Sequence, residues 1–530
     1  MVAAVGEEPD GAVAPARGYR LRRRLWLFGP LALFAALRVP AFLEPYWYTD
    51  EAGYVTSARA LLRGRVLYSQ IWTNKPPLHL WTVAAVIRLL GTSEAALHVL
   101  PLLSGFATLF AVAYAGERLL GRRRTVVALL LAAILLGTPL FDAELLLPES
   151  LLIAPLTWAG ALLLTRVAVP DSRRWPIWPV GVGALVAVAV AYQQTALAEA
   201  CAFGLILAIA GAASWRRVAV YAGTVTVLTA LWLVPSIVTA GAGTVAYALV
   251  GFWFDFAQWH LSSGTAGSWL HLGLPVLAVL MVVGAAWIHR RDRNPAWALW
   301  VWAVAALMVP ALARAAYPHY LVPSIAPGAL ALSGIRLRWP ARTRLHERVA
   351  GAGLVLAAVL AGALAAVAGV EWPLVNVGEV DHTLGYYYGG ALSTLTRGES
   401  LTAYQQNFDY RVPEDRAVAT WISAHGLDGT PAVVWSSDTW LYDLDDLQLM
   451  LPTPPIYNDA VLAGSDEQLA QEVAGLAPEI VVTEGESVTA LPEITSVLDN
   501  GYQAVDQSGT EIVWLRGDLV ASVMGSTGLG

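Results

Sequence analysis

The chain has 530 residues, of which 57% are hydrophobic and only 14% are charged, and its formal net charge is −7. Soluble proteins carry about 25% charged residues, so this composition excludes an ordinary soluble protein and indicates one embedded in a membrane. No dense basic stripe lies outside the short loops between apolar segments, which argues against a nucleic-acid partner. The single cysteine, Cys201, leaves no disulfide within the chain, so an external domain must fold without one.

Hydropathy predicts twelve apolar segments. They cover about residues 25–43, 78–90, 96–118, 125–140, 148–166, 179–195, 196–213, 218–240, 269–288, 296–312, 320–335 and 349–370. No small-residue cleavage site follows the first segment, so we interpret it as a retained anchor rather than a cleaved signal peptide. Residues 1–24 are then a cytoplasmic tail.

The basic residues between these segments predict the topology, because they favour the cytoplasmic side. All basic clusters fall on that side only if one segment before Arg122 does not cross. Segment 78–90 would make about 20 Å of helix, which is short of a hydrocarbon core of about 30 Å, so we assign it to a juxtamembrane or re-entrant helix on the outer side. The prediction is a polytopic all-α membrane protein with about eleven transmembrane helices and juxtamembrane helices in the first external loop.

The remaining part of the chain, residues 371–530, has no further predicted apolar segment and is predicted to lie on the outer side of the membrane. The pattern predicts helices at 413–425 and 466–475, and buried strands at 432–435, 480–483 and 511–515. Alternating strands and helices favour a small extracytoplasmic α/β domain. Residues 386–390 are interpreted as a linker or surface segment. The predicted domains are the tail 1–24, a transmembrane catalytic domain 25–370 and the external domain 371–530.

Two adjacent carboxylates, Asp50 and Glu51, end the first apolar segment at the outer membrane surface. Ionisable residues at such positions in an apolar chain suggest a functional site. One of them could act as a general base that removes a proton from an acceptor hydroxyl. The alternative is a helix start, because Thr49, Asp50 and Glu51 also resemble an N-terminal cap.

Lys75 closes the same predicted loop and is followed by Pro76 and Pro77, which fix the backbone and start the next helix. A lysine at the membrane surface can bind a phosphate as a point charge. The alternative is that its side chain reaches lipid headgroups, as is common near span ends.

Three acids, Asp142, Glu144 and Glu149, lie in the second predicted external loop. They could position an acceptor or hold a divalent metal through oxygen ligands, although the spacing matches no closed metal site. Simple capping of the following helix is an equal alternative. We therefore regard a metal as possible and assign no cofactor.

A further external cluster contains Arg314, His319 and Tyr320, which offer hydrogen-bond donors to a phosphate. The tyrosines could equally belong to an aromatic belt at the interface. Gln193 and Gln194 lie in a tight external turn and are candidates for binding a sugar.

A transporter is the main alternative to an enzyme. It is expected to carry charges near the middle of the membrane on broken helices, whereas here Glu199 is the main such charge and polar residues gather at one face. A sensor or scaffold would leave the acids and the lysine of the first loop unexplained. The pattern therefore favours chemistry at a membrane surface.

The sequence resembles a known family at three places: residues 48–54, residues 74–78 and residues 317–323. These runs are similar to the GT-C superfamily of membrane glycosyltransferases. More narrowly, they resemble bacterial relatives of protein O-mannosyltransferases and of the lipid A aminoarabinose transferase. The resemblance covers about residues 25–370.

The resemblance implies an inverting transfer of a monosaccharide from a polyprenyl-phosphate donor to a hydroxyl of a cell-envelope glycan, lipid or protein. Asp50 matches the catalytic acidic position of the family, and Lys75 matches its donor-phosphate lysine. Arg314 lies near the position at which relatives use a basic residue to bind the same phosphate. Glu149 stands where relatives often have aspartate, and Gln193 stands where they often have lysine. The implied partners are the lipid-linked donor, membrane lipid and the envelope acceptor.

Overall fold

A computed structural model describes residues 25–167, 177–209, 214–255, 296–313, 317–334, 384–406, 408–436, 438–452, 465–485 and 492–526. The predicted apolar segments 269–288 and 349–370 and the predicted phosphate ligand Arg314 lie outside these residues. The helices of the first two thirds of the chain are α1 (Phe28–Leu37), α2 (Thr49–Leu62), α3 (Pro77–Leu90), α4 (Glu94–Leu97), α5 (Val99–Leu119), α6 (Arg122–Gly137), α7 (Pro148–Val167), α8 (Trp178–Tyr192), α9 (Leu197–Ile209), α10 (Ser214–Ala240), α11 (Ala242–Ala246), α12 (Ala296–Ala313) and α13 (Val322–Gly334).

Three apolar helical stretches in the described residues are long enough to cross a membrane: Glu94–Leu119, Pro148–Val167 and Trp215–Ala240. Shorter apolar helices lie at Phe28–Leu43, Pro77–Leu90, Trp178–Tyr192, Gln194–Ile209 and Trp297–Met308. A mostly helical membrane fold is therefore present, and the count of eleven spans stays a prediction.

The helix α3 begins where its two prolines require. Pro76 is extended, with φ −61° and ψ 155°, and Pro77 occupies the first turn, where its missing N–H costs no hydrogen bond. The helix ends at Gly91, whose φ of 87° favours glycine. It packs against α2 and also against α8 and α10. The segment predicted at 78–90 thus forms a 14-residue helix beside the acid-bearing α2, and its juxtamembrane position stays a prediction.

The C-terminal part contains a five-stranded mixed sheet in the order β2-β1-β3-β5-β4. Its strands are β1 (Pro431–Trp435), β2 (Gln448–Leu449), β3 (Ile480–Glu484), β4 (Tyr502–Ser508) and β5 (Glu511–Arg516). β1 is parallel to β2 and β3, whereas β5 is antiparallel to β3 and β4. The helices here are α14 (Leu384–Arg397), α15 (Leu401–Gln405), α16 (Arg411–Ala424), α17 (Leu441–Leu444), α18 (Ser465–Leu476), α19 (Pro492–Gly501) and α20 (Val520–Ser526).

The interpretation of residues 386–390 as a linker is wrong, because they lie inside α14. The Tyr387 side chain is buried, and its hydroxyl donates to Glu44 Oε1 at 2.6 Å. The Tyr388 hydroxyl donates to the Leu37 carbonyl at 3.2 Å. Paired glycines suggest a turn in a sequence. Here the helix is stabilised by tertiary packing, because its tyrosines are buried against other parts of the chain.

A buried pair of carboxyl groups, Asp415 on α16 and Glu511 on β5, lies inside the C-terminal part. Burial and the neighbouring Asp438 raise the pKa of Glu511 to about 8. A carboxyl group whose pKa is raised on folding stabilises the fold only while it stays protonated. The contribution of Glu511 is therefore fully present below about pH 4.5 and is lost as the pH rises towards 8.

We expect Glu511→Gln to stabilise the sheet at pH 8 and to change little near pH 5, because glutamine mimics the protonated acid. Each unit of pKa shift corresponds to about a tenfold change in the folding equilibrium. Hydrogen–deuterium exchange of the β5 peptide in the full chain, corrected for the intrinsic rate, measures the effect. The exposed Glu399→Gln is the control, and a pH-independent difference between wild type and Glu511→Gln would contradict the assignment.

Candidate functional site

The loop that joins the 3₁₀ turn Pro139–Phe141 to α7 is buried throughout, although its backbone forms neither a helix nor a strand. We call residues 142–147 the clamped loop. Glu51 Oε1 accepts a hydrogen bond from the Leu146 N–H at 2.6 Å, and His79 Nε2 lies 3.3 Å from the Leu146 carbonyl oxygen. Both backbone groups of Leu146 are therefore paired with side chains of α2 and α3, as a buried backbone requires.

The first half of the clamped loop is also held by side chains that bind its backbone carbonyl groups. An Nη atom of Arg38 donates to the Ala143 carbonyl at 2.5 Å, and His98 Nδ1 lies 3.0 Å from the Glu144 carbonyl. The Glu144 carboxylate faces the Arg38 guanidinium at 3.7 Å. Burial is the main cause that raises the pKa of Glu144. Glu144 thus belongs to a buried structural pair with Arg38.

Asp50 and Glu51 lie in the first turn of α2, where carboxylates are favoured by the helix dipole. Neither caps the helix, because its N-cap is Tyr48 and no side-chain cap bond forms there. The Glu51 side chain is buried and bound to Leu146, and burial raises its pKa to about 7. Asp50 is half-buried and is the more accessible of the two carboxylates.

His319 lies in a 3₁₀ turn at Pro318–Leu321 and meets the clamped loop. Its Nδ1 is 3.1 Å from the Tyr48 hydroxyl and 3.5 Å from Asp142 Oδ2, and the same hydroxyl donates to Asp142 Oδ2 at 3.4 Å. Burial alone lowers the pKa of His319, but Glu149, Asp142 and Asp50 outweigh burial and raise it. The structure therefore places Asp142 in contact with His319, and the charges of the acids favour the protonated ring.

Glu149 occupies the first turn of α7 and is bound by the external turn after α8. Gln193 Nε2 donates to Glu149 Oε1 at 2.6 Å. Gln194 Nε2 donates to the Asn74 carbonyl at 2.9 Å and is 3.3 Å from the Leu249 carbonyl. The two glutamines thus connect Glu149 with Asn74, the residue before Lys75. These hydrogen bonds link the second predicted external loop to the first.

Lys75 is 5% exposed, and its backbone is fixed on both sides. The Tyr68 hydroxyl donates to the Lys75 carbonyl at 2.8 Å, and the Lys75 N–H donates to Thr73 Oγ1 at 3.2 Å. The ammonium nitrogen lies 5.7 Å from the centroid of the Trp253 ring, a distance at which cation–π attraction operates. Lys75 is therefore enclosed by protein.

Tyr320, also predicted as a phosphate ligand, is buried against His319 with ring centroids 4.7 Å apart. Burial, followed by Glu149 and Asp50, raises the pKa of the Tyr320 hydroxyl, so it stays a proton donor. In the part of the chain that the structure describes, no three His, Cys, Asp or Glu residues are arranged to hold a metal ion. The possible metal at the acids of the second loop receives no support from this geometry.

Several residues that build the site were not predicted from the sequence: Tyr48, Arg38, His79 and His98. Each is buried in the described structure, and each reaches a partner between 46 and 105 residues away in the chain. Arg38 offered one signal, a charge at the end of an apolar segment, which needs a partner when it is buried.

Comparison with known proteins gives matches to both sequence and structure. Residues 74–239 match a family model described as dolichyl-phosphate-mannose-protein mannosyltransferase. ArnT from Cupriavidus metallidurans bound to undecaprenyl phosphate matches with a TM-score of 0.61 at 18% identity, covering 94% of this chain and 98% of that chain. The apo state of the same protein matches with a TM-score of 0.58 at 16% identity and the same coverage of both chains. No curated protein matches this chain. At this identity the structural matches show a shared fold.

We expect Glu51→Gln to preserve the clamped loop and most of the activity, because the amide oxygen can still accept from the Leu146 N–H. Glu51→Ala leaves that N–H unpaired at a cost of about 1–3 kcal/mol of local stability. Hydrogen–deuterium exchange of the peptide that covers 142–147 should therefore rise in the alanine variant only. Complete loss of activity in Glu51→Gln, with the loop still protected, would instead make Glu51 the base.

Proposed function

We propose that this chain, a membrane glycosyltransferase of the GT-C superfamily, moves a monosaccharide from a polyprenyl-phosphate donor to a hydroxyl of a cell-envelope acceptor. The family match and the shared fold support a glycosyltransferase that uses a lipid-linked donor. The undecaprenyl phosphate in the ArnT structure supports a polyprenyl phosphate as the carrier. In this proposal the chain is a multi-pass protein of the cell membrane, with residues 1–24 in the cytoplasm and residues 371–530 outside.

The observation that carries the proposal is a set of hydrogen bonds around the predicted acids and Lys75. His319 contacts Asp142 directly and through the Tyr48 hydroxyl, two residues before Asp50. Gln193 donates to Glu149, and the adjacent Gln194 donates to the Asn74 carbonyl, next to Lys75. A transferase needs these groups together, because a base must act on the acceptor while cations neutralise the departing phosphate.

The identity of Lys75 supports a phosphate ligand over a lipid-headgroup contact. All other basic residues among the 33 lysines and arginines of the chain are arginine, so Lys75 is its only lysine. An arginine would reach headgroups equally well, whereas a compact ammonium with three donors suits a phosphate approached from one side. The burial of Lys75 points the same way, because a side chain that reaches lipid headgroups would remain exposed.

The mechanism is a single displacement with inversion at the anomeric carbon. The acceptor oxygen forms a bond to that carbon as its proton passes to the Asp50 carboxylate. The bond between the anomeric carbon and the phosphate oxygen breaks, and polyprenyl phosphate leaves with the electron pair. Lys75 and cationic His319 stabilise the charge on the leaving phosphate, with the Tyr320 hydroxyl as a further donor and Arg314 as the predicted third cation.

The remaining predicted residues have supporting roles in this proposal. Asp142 orients His319 through the direct contact and through Tyr48, and Glu144 holds the clamped loop by way of Arg38. Glu149 and Gln193 form a hydrogen-bonded pair that can bind sugar or acceptor hydroxyls. Gln194 holds the Lys75 loop instead of contacting the sugar directly. A divalent metal remains compatible with the proposal and takes no part in the steps above.

The proposed reaction predicts that the purified protein releases undecaprenyl phosphate from one member of a panel of undecaprenyl-phosphate monosaccharides when a cell-envelope fraction is present. In Asp50→Asn the rate should fall about 10²–10⁴-fold, the usual contribution of a general base. The exposed Glu117→Gln is the matched control. Movement of the intact lipid-linked sugar across a vesicle membrane without cleavage would replace this function by transport.

Lys75 should determine binding of the carrier phosphate. Lys75→Ala should weaken the binding of undecaprenyl phosphate to the purified protein about 10- to 100-fold, which corresponds to a charge-assisted hydrogen bond of about 1.5–3 kcal/mol. Binding of neutral undecaprenol is the control and should not change. Equal affinity of Lys75→Ala and the wild type for undecaprenyl phosphate would favour a role for Lys75 outside the donor site.

A further inference from the structure

The C-terminal half of α2 is bound by a loop of the C-terminal part, residues 439–452, which we call the docking loop. The guanidinium of Arg59 contacts the carboxylates of both Asp443 and Asp446. Arg63 donates to the Asp446 carboxylate at 2.7 Å and to the Leu447 carbonyl at 2.8 Å. The Asp443 side chain is only 4% exposed, so its charge needs the arginine, whereas the Asp446 side chain is 63% exposed and contributes less.

The contact continues beyond the end of α2. Arg65 donates to the Leu449 carbonyl at 2.8 Å and to the Leu451 carbonyl at 3.1 Å. The Trp72 N–H donates to the Pro452 carbonyl at 2.8 Å. Since Leu449 also belongs to β2, the docking loop connects the first external loop directly to the edge of the sheet.

Neutral contacts join the other end of the docking loop to the middle of α2 and to the segment before it. The rings of Tyr46 and Trp440 stack with centroids 4.6 Å apart. The Thr56 hydroxyl donates to the Thr439 carbonyl at 3.3 Å. One hydrophobic cluster includes Trp47, Tyr54 and buried residues of the sheet. The docking loop therefore contacts the segment before α2 and the C-terminal half of this helix.

We infer that the docking loop positions the catalytic carboxylate, with Arg59 and Asp443 as positioning residues; this inference rests on the proposed function. The helix α2 is 14 residues, or about 21 Å, long. Its first turn carries Asp50 and is fixed by the bond between Glu51 and the clamped loop. The contact of its last turns with the docking loop supplies the second anchor, and two anchors fix the rotation of a helix about its axis and its position along it.

In this inference the C-terminal part acts on the active site through α2. Rotation of α2 would move Asp50 away from the acceptor while leaving Lys75 and His319 in place, because they lie on other elements. Loss of the second anchor should therefore lower kcat and leave donor binding almost unchanged. A domain that served to bind acceptor would instead alter the acceptor KM.

The test compares Arg59→Ala and Asp443→Asn with the exposed Arg88→Ala on α3, all in the full-length chain. The assay follows release of undecaprenyl phosphate from the active member of the undecaprenyl-phosphate monosaccharide panel. We expect kcat to fall about 10- to 100-fold in both variants, as for a misplacement of about 1 Å. The donor KM should stay within about twofold, because the lost interaction acts only on the transition state. Exchange of the peptide that covers residues 49–53 should rise in parallel.

Unchanged kcat in both variants, an acceptor KM that rises at constant kcat, or unchanged exchange at residues 49–53 would each overturn the inference. If the loss of Arg59 prevents folding because Asp443 is left as a buried charge, Asp446→Asn decides. Its carboxylate is mostly exposed, so that variant should fold and show a smaller fall of kcat in the same direction. If the wild type releases undecaprenyl phosphate from no member of the panel, the proposed function is refuted. The hydrogen–deuterium exchange at residues 49–53 would still decide whether the docking loop holds α2.

Discussion

The structure depends on the pairing of a buried stretch of irregular backbone, the clamped loop. A loop usually lies at the surface, because buried N–H and C=O groups without partners are costly. Here the partners are long or aromatic side chains from four different places along the chain, among them Arg38, Glu51 and His98. Each of these bonds also fixes the element that carries the side chain. The loop therefore sets the mutual positions of α2, α3 and the start of α5, and with them the position of Asp50.

The electrostatics of the site follow from an excess of carboxylates in a region with little water. The charges of acids on three elements act on His319 and together outweigh the burial that would otherwise favour a neutral ring. Elsewhere the chain lowers the cost of buried acids by pairing, as between Glu144 and Arg38 or between Asp443 and Arg59. In the proposed function a carrier phosphate would add negative charge to this region, and Lys75 and His319 would offset it. The amides of Gln193 and Gln194 donate to neighbouring oxygen atoms without adding charge.

Much of the helical architecture could be predicted because hydropathy reports directly on long apolar stretches. The helices at 77–90, 148–167 and 178–192 begin and end within a few residues of the predicted segments. Three strands and two helices of the C-terminal part were also predicted from the sequence pattern. Prediction failed at α14, where tyrosine and glycine suggest a surface segment and only the partner surface around Glu44 favours a helix. β4 was missed because an edge strand with exposed side chains has no buried pattern to detect.

The sequence by itself determined the membrane class, the resemblance to GT-C glycosyltransferases and the candidate roles of Asp50 and Lys75. It could do so because composition and short motifs are local properties. Only the tertiary structure separated Asp50 from Glu51, since the difference lies in a bond to Leu146, which is 95 residues away. It also revealed the contact between α2 and the docking loop, more than 380 residues apart in the chain. Neighbouring carboxylates are equivalent in a sequence, and burial and hydrogen bonding, which depend on distant residues, make them different.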